Sequence, residues 1–309
     1  MPEVNLMPFV YFHKKIVPVE EAKIGVASHS LQYGTTCFGG IRGFVANGKV
    51  KVFRLSDHYE RMHNAIKILG MKTELPWKEF EQAIVQIIQA NAPQTNFYMR
   101  PFFYSEDPVL GPSFDTVDFK LAIYMLPLGD VYDPSKGLRL LISSWRKFAD
   151  VVIPTKAKAG GGYVNSALAK TEARQRGYDD ALMMDEQGVV VEATVANLFL
   201  VWRGKVLMPE IGSAVLEGIT QRTMIEFLEE EGMQVRTARI DRSMTYTCDE
   251  LILTGTAIQI AFVESVDGRI VAKDGQPGPI CQLLRKKFKD VLEGKHPKSS
   301  VWLTEISII

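Results

Sequence analysis

The chain has 309 residues, of which 46% are hydrophobic and 23% are charged. That is enough for one large or two ordinary domains, and it excludes a disordered, collagen-like or disulfide-stapled protein. The 36 basic residues balance the 36 acidic ones, so we expect no net charge that attracts nucleic acid or an anionic membrane.

The first part of the chain alternates predicted strands and helices. These are, in chain order, a strand at Phe9–Phe12, a strand at Lys49–Phe53, a helix at 59–69, a helix opened by Pro76, and strands at Phe97–Tyr104 and 119–125. Asn47-Gly48 is typical of a two-residue hairpin, because both central positions of a type I′ turn need positive φ. Ser56 or Asp57 is the expected N-cap of the first helix, and Gly70 is its expected end.

The second part begins with a predicted strand at 138–143, then a loop of small residues around Lys158. A helix at 165–176, short strands, a helix at 220–231, a strand-rich region at 251–263 and a helix at 280–292 follow. We therefore predict an α+β protein with a small N-terminal α/β domain at 1–126, a linker at 127–137 and a larger C-terminal domain at 138–309. A site is expected in the cleft between the domains.

Several classes of protein lack support in the sequence. The five histidines are scattered, so we predict no metal site. The hydrolase motif G-x-S-x-G and the P-loop are absent, and no G-x-G-x-x-G leads from a strand into a helix. The three cysteines are far apart, which favours reduced thiols. With neither a secretory leader nor an apolar run of about 20 residues, we expect a cytoplasmic protein without a membrane partner.

Lys158 lies between two alanines and ahead of three glycines, where no long neighbouring side chain would crowd a bulky ligand. The ordinary interpretation is a solvated loop lysine. In a desolvated cleft, however, a lysine loses proton affinity and can form a Schiff base with an aldehyde. Lys156 would share its face on an extended chain, so spacing alone does not choose between the two.

A Schiff-base cofactor such as pyridoxal phosphate also needs groups that bind its phosphate and an acid near its ring nitrogen. Gly218-Ile219-Thr220 leads into a predicted helix whose first amides could bind phosphate, although Thr220 could also be an ordinary N-cap. Thr254-Gly-Thr256-Ala257 and Arg61 are weaker candidates. Glu192 follows an apolar strand, where a buried carboxylate needs a partner such as a protonated pyridine nitrogen.

Seven motifs span most of the chain. They are Tyr33-Gly-Thr-x-x-Phe38-x-Gly40-Ile-Arg42, His58-x-x-Arg61-x-His63, Tyr98-x-Arg100-Pro101, Pro154-Thr-x-x-Lys158-x-Gly-Gly-x-Tyr163, Glu192-x-x-x-x-Asn197-Leu-Phe199, Gly218-Ile219-Thr220 and Thr254-Gly-Thr256-Ala257. In this order they resemble the fold-type IV pyridoxal-phosphate enzymes, and within them the branched-chain amino-acid aminotransferases. The resemblance implies a two-domain fold whose C-terminal domain has a mixed, β-barrel-like core.

The resemblance also implies a role for each matching residue. It assigns the Schiff base to Lys158, the contact with the pyridine nitrogen to Glu192, and the contact with the phenolic oxygen to Tyr163. The other cofactor-binding residues that it implies are Arg61, Asn197, Ile219, Thr220 and Thr256. The substrate-binding residues that it implies are Tyr33, Phe38, Gly40, Tyr98, Arg100, Thr256 and Ala257.

The implied activity moves the amino group between L-leucine, L-isoleucine or L-valine and 2-oxoglutarate by a ping-pong mechanism, and the implied assembly is a homodimer or several dimers. D-amino-acid or (R)-amine transaminases and aminodeoxychorismate lyase share the fold and stay alternatives, as does a scaffold without turnover. Tyr98-x-Arg100 favours the branched-chain group. Gly39 and Leu128 stand where family members commonly have glutamate and a bulkier aromatic, so the shape of the pocket is expected to differ.

Overall fold

The structure is a computed structural model that describes residues 5–46, 48–210 and 214–308. Its strands are β1 (Phe9–Phe12), β2 (Lys15–Pro18), β3 (Cys37–Phe38), β4 (Ile41–Ala46), β5 (Lys49–Phe53), β6 (Phe97–Tyr104), β7 (Lys120–Pro127), β8 (Leu138–Arg146), β9 (Asp180–Met184), β10 (Val190–Ala193), β11 (Asn197–Trp202), β12 (Lys205–Pro209), β13 (Val235–Ala238), β14 (Glu250–Gly255), β15 (Gln259–Val266), β16 (Arg269–Ile270) and β17 (Leu303–Ser307). Its α-helices are α1 (His29–Tyr33), α2 (Leu55–Leu69), α3 (Trp77–Asn91), α4 (Tyr163–Gln175), α5 (Ile219–Glu230), α6 (Met244–Thr247), α7 (Pro279–Leu292) and α8 (Ser299–Trp302).

The described residues divide into two units by their internal contacts. The first unit contains the residues up to Gly129, together with Ala157–Gly161 and the residues from Pro297 onward. The second unit contains Asp130–Lys156 and Gly162–His296. Lys158 therefore belongs to the first unit, whereas Glu192 belongs to the second. The domain boundaries that we place at 126 and 138 from the sequence stay a prediction.

The first unit is built on an antiparallel sheet with the strand order β17-β5-β4-β6-β7-β1-β2, and β3 pairs with β6. Helix α3 packs on its core because Phe80, Ile84 and Ile87 recur at helical spacing and are fully buried. The strand β17 near the C-terminus is far from its partner β5 in sequence, and it pairs Leu303 with Phe53. Asn47 of the predicted hairpin lies outside the described residues.

The predicted cap of the first helix is wrong. Helix α2 begins at Leu55, so Ser56 and Asp57 lie inside its first turn. The N-cap position is Arg54, which has a left-handed backbone, and none of the described side chains caps the helix. A tertiary contact explains this start, because the Arg54 amide donates to the Trp302 carbonyl and the guanidinium lies over the Trp302 ring, 5.0 Å from its centroid. Gly70 ends the helix as predicted.

The second unit contains a mixed sheet with the strand order β10-β9-β8-β15-β14-β11-β12-β13, and β16 pairs with β15. Strand β8 runs parallel to both of its neighbours, β9 and β15. The sheet is curled, because β10 at one end also contacts β11 and β12. Helices α5 and α7 pack on β14, while α4 packs on β8 and β9. This mixture and the curled sheet confirm the α+β class and the barrel-like core that the resemblance implies.

The three cysteines are buried and form no disulfide. Burial raises the pKa of each thiol to about 12. A thiol with so high a pKa stays protonated near neutral pH and is a poor nucleophile or metal ligand. Across the described residues, no helix is both long enough and apolar enough to cross a bilayer.

Candidate active site

Lys158 lies on a segment that runs along residues 34–38 of the same unit. The Phe38 amide donates to the Lys158 carbonyl at 3.3 Å, and the Gly160 amide donates to the Thr36 carbonyl at 2.7 Å. Backbone hydrogen bonds therefore hold the chain on both sides of the lysine, so its Cα is placed by the main chain and not by a mobile loop.

The glycines after Lys158 permit this close approach. A Cβ atom on Gly160 would stand 1.9 Å from Thr36 Oγ1, which is far inside van der Waals contact. A Cβ atom on Gly161 would stand 3.3 Å from the Gly34 carbonyl oxygen, a tight contact. The absence of side chains at both positions lets the two segments pair closely.

The backbone of Lys158 is strained and its side chain is half-buried. Its φ of +49° lies in the left-handed region, which residues other than glycine rarely adopt. Such strain persists only where the surrounding structure enforces it, and it is concentrated at functional sites. The Nζ atom lies 5.0 Å from the centroid of the Phe38 ring. Lys156 is exposed to solvent by comparison, so the difference in burial favours Lys158 as the functional lysine.

Arg100 is surrounded by other predicted substrate-binding residues of the first unit. Its guanidinium carbon lies 4.6 Å from the Phe38 ring centroid and 5.3 Å from that of Tyr98. Its Nη2 donates to the Tyr98 hydroxyl at 3.0 Å. Gly40 packs against this hydroxyl, because a Cβ atom there would stand 2.2 Å from the oxygen. Because Phe38 contacts both Arg100 and Lys158, the first unit brings an amine and a fixed guanidinium, a natural carboxylate receptor, to one ring.

Helix α2 adds further positive charge near Lys158. His58 is buried on this helix, and burial, followed by the charges of Arg61, Lys158 and Arg54, lowers its pKa well below the ordinary value. The imidazole is therefore neutral at physiological pH. Its Nδ1 atom is buried and has no hydrogen-bond partner among the described residues. The predicted phosphate ligand Arg61 thus belongs to the same charged neighbourhood as Lys158.

The two departures from the family have structural counterparts in the first unit. A Cβ atom on Gly39 would stand 3.0 Å from Met62 Sδ and 3.2 Å from Pro101 Cγ. Core packing therefore fills the position where family members have a glutamate side chain. The main chain of Leu128 takes part in a contact of this unit, because its carbonyl accepts a hydrogen bond from Arg42 Nη2 at 3.0 Å.

Tyr33, the remaining predicted substrate-binding residue of this unit, is half-buried at the end of α1. Its hydroxyl accepts a hydrogen bond from the Gly111 amide at 3.0 Å, and its ring lies 4.9 Å from the His29 ring. These contacts connect Tyr33 to the loop that follows β6.

Glu192 lies on β10 in the second unit and forms a buried ion pair. Its Oε1 atom is 2.7 Å from Lys147 Nζ, and the two side chains are 9% and 10% exposed. Sequence reasoning missed Lys147, which belongs to none of the seven motifs. The available signal was weak, since it was only a basic residue shortly after the predicted strand at 138–143.

The N-terminus of α5 has no side-chain cap among the described residues. The N-cap residue of this 12-residue helix is Gly218. A Cβ atom on Gly218 would stand 2.0 Å from Asn197 Oδ1, and the Asn197 amide donates to the Leu216 carbonyl at 2.8 Å. Thr220 is 4% exposed in the first turn. Uncapped amides and a positive dipole end at a helix N-terminus are suited to a phosphate.

The strand β14 brings further hydroxyl groups to the second unit. Thr254 pairs in register with Asn197, and its buried Oγ1 has no hydrogen-bond partner among the described residues. Thr256 and Ala257 follow in the turn between β14 and β15 and are half-buried. Tyr163 is the first residue of α4 and is also half-buried. Within the part of the chain that the structure describes, no cluster of three or more histidine, cysteine, aspartate or glutamate side chains could hold a metal ion.

Comparison with known proteins identifies the family. The pattern of the family "Amino-transferase class IV" matches residues 36–266. The "Probable branched-chain-amino-acid aminotransferase" of Aquifex aeolicus is 37% identical over 303 residues, which cover 97% of this chain and 97% of that protein.

Two solved structures show the same fold along nearly the whole chain. The branched-chain aminotransferase of Thermoproteus uzoniensis with norvaline has a TM-score of 0.92 and 35% identity, and the match covers 97% of this chain and 99% of that one. The T.th. branched-chain amino acid aminotransferase complexed with N-(5'-phosphopyridoxyl)-L-glutamate has a TM-score of 0.91 and 36% identity, with 98% and 99% covered. The chain therefore belongs to the class IV aminotransferases, a family of pyridoxal-phosphate enzymes.

Proposed function

We propose that the protein transfers the amino group of L-leucine, L-isoleucine and L-valine to 2-oxoglutarate by a ping-pong mechanism. The observation that carries the proposal is the arrangement around Phe38, where a half-buried lysine and a fixed arginine meet at one ring. An amine and a carboxylate receptor are what a transaminase needs for its cofactor and its substrate. The solved relatives support both substrate classes, since they are complexed with norvaline, 4-methylvaleric acid and a phosphopyridoxyl adduct of L-glutamate.

The residues present fit pyridoxal phosphate. Donors for a phosphate dianion would come from the helix N-terminus at Gly218, from the buried Thr220, and from the Thr254 hydroxyl, which has no hydrogen-bond partner among the described residues. When bound, the cofactor supplies an aldehyde that condenses with amines and a ring that takes up the electrons left when a bond to the substrate Cα breaks.

We assign the cofactor contacts as the family resemblance implies. Lys158 would hold the aldehyde carbon, Glu192 the ring nitrogen and Tyr163 the phenolic oxygen. The residues that would hold or frame the phosphate are Arg61, Asn197, Ile219, Thr220 and Thr256.

Lys158 would also be the base of the reaction. Its Nζ would take the proton from the substrate Cα and hold it for return, while the Arg100 guanidinium, with Tyr98, would bind the substrate carboxylate. Phe38 presents an apolar ring next to both groups, which favours aliphatic side chains. The balanced reaction converts L-leucine and 2-oxoglutarate into 4-methyl-2-oxopentanoate and L-glutamate.

The test is a panel of L- and D-amino acids with 2-oxoglutarate, read out as glutamate, on the wild type and two lysine variants. We expect L-leucine, L-isoleucine and L-valine to give the highest rates of glutamate formation in the panel. Lys158→Ala should lose at least about 10³-fold in kcat. The exposed Lys156→Ala, two residues away, is the matched control and should stay within about twofold.

A ping-pong mechanism adds a second readout. The loaded enzyme mixed with L-leucine alone should release one 2-oxo acid per site before 2-oxoglutarate is added. Preference for D-alanine or an (R)-amine, or release of pyruvate from aminodeoxychorismate, would replace the proposed activity by one of the alternatives of the same fold. A protein that takes up no pyridoxal phosphate would be a scaffold.

Assembly and location belong to the same proposal. We expect a homodimer or an assembly of dimers, as the family resemblance implies, and we expect the protein in the cytoplasm, as the sequence analysis predicts. Light scattering of the purified protein tests the assembly, and a mass of about one chain would contradict it.

A further inference from the structure

The main chain sets the positions of Lys147 and Glu192. Lys147 directly follows β8, and its amide donates to the Met184 carbonyl of β9 at 2.8 Å. Glu192 is paired with Met183 of the same strand. The register shifts between Val190 and Glu192, which marks a bulge in β10. Bulges re-aim side chains and are over-represented next to active sites, so both ends of the ion pair are fixed by one strand.

The pair itself is tight and desolvated. The Nζ to Oε1 distance is 2.7 Å, with about a tenth of either side chain exposed. The ammonium also lies 4.8 Å from the centroid of the Phe148 ring. Buried ion pairs contribute little net stability, because the cost of desolvation offsets the Coulomb attraction. Orientation of the carboxylate is therefore a better account of the pair than stability alone.

We propose that Lys147 is a positioning residue that fixes Glu192 toward the ring nitrogen of pyridoxal phosphate. This inference rests on the proposed function, in which Glu192 is the acid at that nitrogen. With Oε1 engaged by Lys147, the carboxylate plane is set and Oε2 is presented to the ring. Without Lys147, the carboxylate would rotate or turn toward water, and its contact with the ring nitrogen would be lost or lengthened.

The experiment compares Lys147→Met, Lys147→Arg and Glu192→Gln in the loaded enzyme. The first readout is the visible absorbance spectrum of the bound cofactor, which reports the state of its ring directly. The second is kcat and KM for the L-leucine half-reaction. Lys170→Met is the control, because Lys170 forms another ion pair in the same unit, 2.8 Å from the buried Asp180, with 26% of the lysine side chain exposed.

We expect Lys147→Met to shift the spectrum in the same direction as Glu192→Gln. We also expect it to lower kcat about 10- to 100-fold with little change in KM, as is common for residues that orient a functional ligand. Lys147→Arg should keep a spectrum and a kcat close to those of the wild type. Lys170→Met should keep the wild-type spectrum. Lys147→Met combined with Glu192→Gln should be no worse in kcat than Glu192→Gln alone.

A wild-type spectrum and kcat in Lys147→Met would overturn the inference, and so would an additive double variant. If Lys147→Met does not fold, Lys147→Gln, which keeps a donor but no charge, decides by the same spectrum. These results differ from a failure of the proposed function, because in that case the wild type itself would bind no pyridoxal phosphate or transfer no amino group.

Discussion

Gly218→Ala tests whether the N-terminus of α5 is the phosphate cradle. The new Cβ would stand 2.0 Å from Asn197 Oδ1, whereas real Cβ contacts are essentially never shorter than 3.0 Å. One of the two must therefore move by at least about 1 Å. The Asn197 amide cannot move without strain, because it also donates to the Leu216 carbonyl. The φ of Gly218 is −80°, which alanine adopts readily, so the effect is steric and not conformational.

Overpacking of this kind costs about 1–3 kcal/mol. In the free protein the helix terminus can shift away from the new methyl group, but in the proposed site phosphate binding needs that terminus in its native position. The cost therefore falls on binding, and since about 1.4 kcal/mol is tenfold, we expect pyridoxal phosphate to bind about 5- to 150-fold more weakly.

The assay titrates the apoprotein with pyridoxal phosphate and follows the absorbance of the bound form. Gly25→Ala is the control, because a Cβ atom there meets nothing within 4 Å and its φ is not positive. Asn197→Ala removes the atom that clashes, so adding Gly218→Ala to that variant should cost less than adding it to the wild type. The reasoning would be refuted if Gly218→Ala bound pyridoxal phosphate within twofold of the wild-type affinity. It would also be refuted if Gly218→Ala weakened binding equally in the wild type and in Asn197→Ala.

Three further variants test other parts of the structure. Gly160→Ala should push the segment that carries Lys158 away from Thr36. We expect it to lower the incorporation of pyridoxal phosphate at least about tenfold, measured by absorbance at saturation. Glu250→Ala removes a buried carboxylate that accepts from the first amides of α7, so denaturant titration should show a loss of about 2–4 kcal/mol. The lowered pKa of His58 means that the folded apoprotein resists protonation there, so its stability is intact above pH 6.5 and falls below it. His58→Gln should flatten that fall, by up to about 1.4 kcal/mol per pH unit, in urea titrations at pH 7 and pH 5.

Local sequence patterns are sufficient to predict many of the helices and strands. The sequence predicts β6 with the bounds that the structure has, and it predicts α3 from Pro76, which directly precedes that helix. Such segments are determined by the period of their own side chains. The cap of α2 and the pairing of β17 with β5 do not follow from local patterns, because each depends on a partner that lies far along the chain. Trp302, which contacts the N-cap residue Arg54 of α2, is about 250 positions from that helix.

In the candidate site, too, some residues can be predicted from local sequence patterns and some contacts cannot. Lys158 and its glycines can be selected from the sequence because small residues around a lysine indicate room for a ligand, although the choice over Lys156 needs the family resemblance. Burial supports that choice independently. The contact of Lys147 with Glu192 cannot be predicted, since it depends on a bulge in β10 and on the register of β9. Register is set by the whole sheet and not by the residues that it brings together.

The charge around His58 explains why the first unit would favour a phosphate-bearing cofactor. Burial first, and then the charges of Arg61, Lys158 and Arg54, disfavour a proton on this imidazole, and Asp57 is the ion-pair partner of Arg54. His58 Nδ1 is also buried without a partner among the described residues. A dianionic phosphate would carry the charge opposite to that of these three basic side chains, whereas an uncharged aldehyde would not.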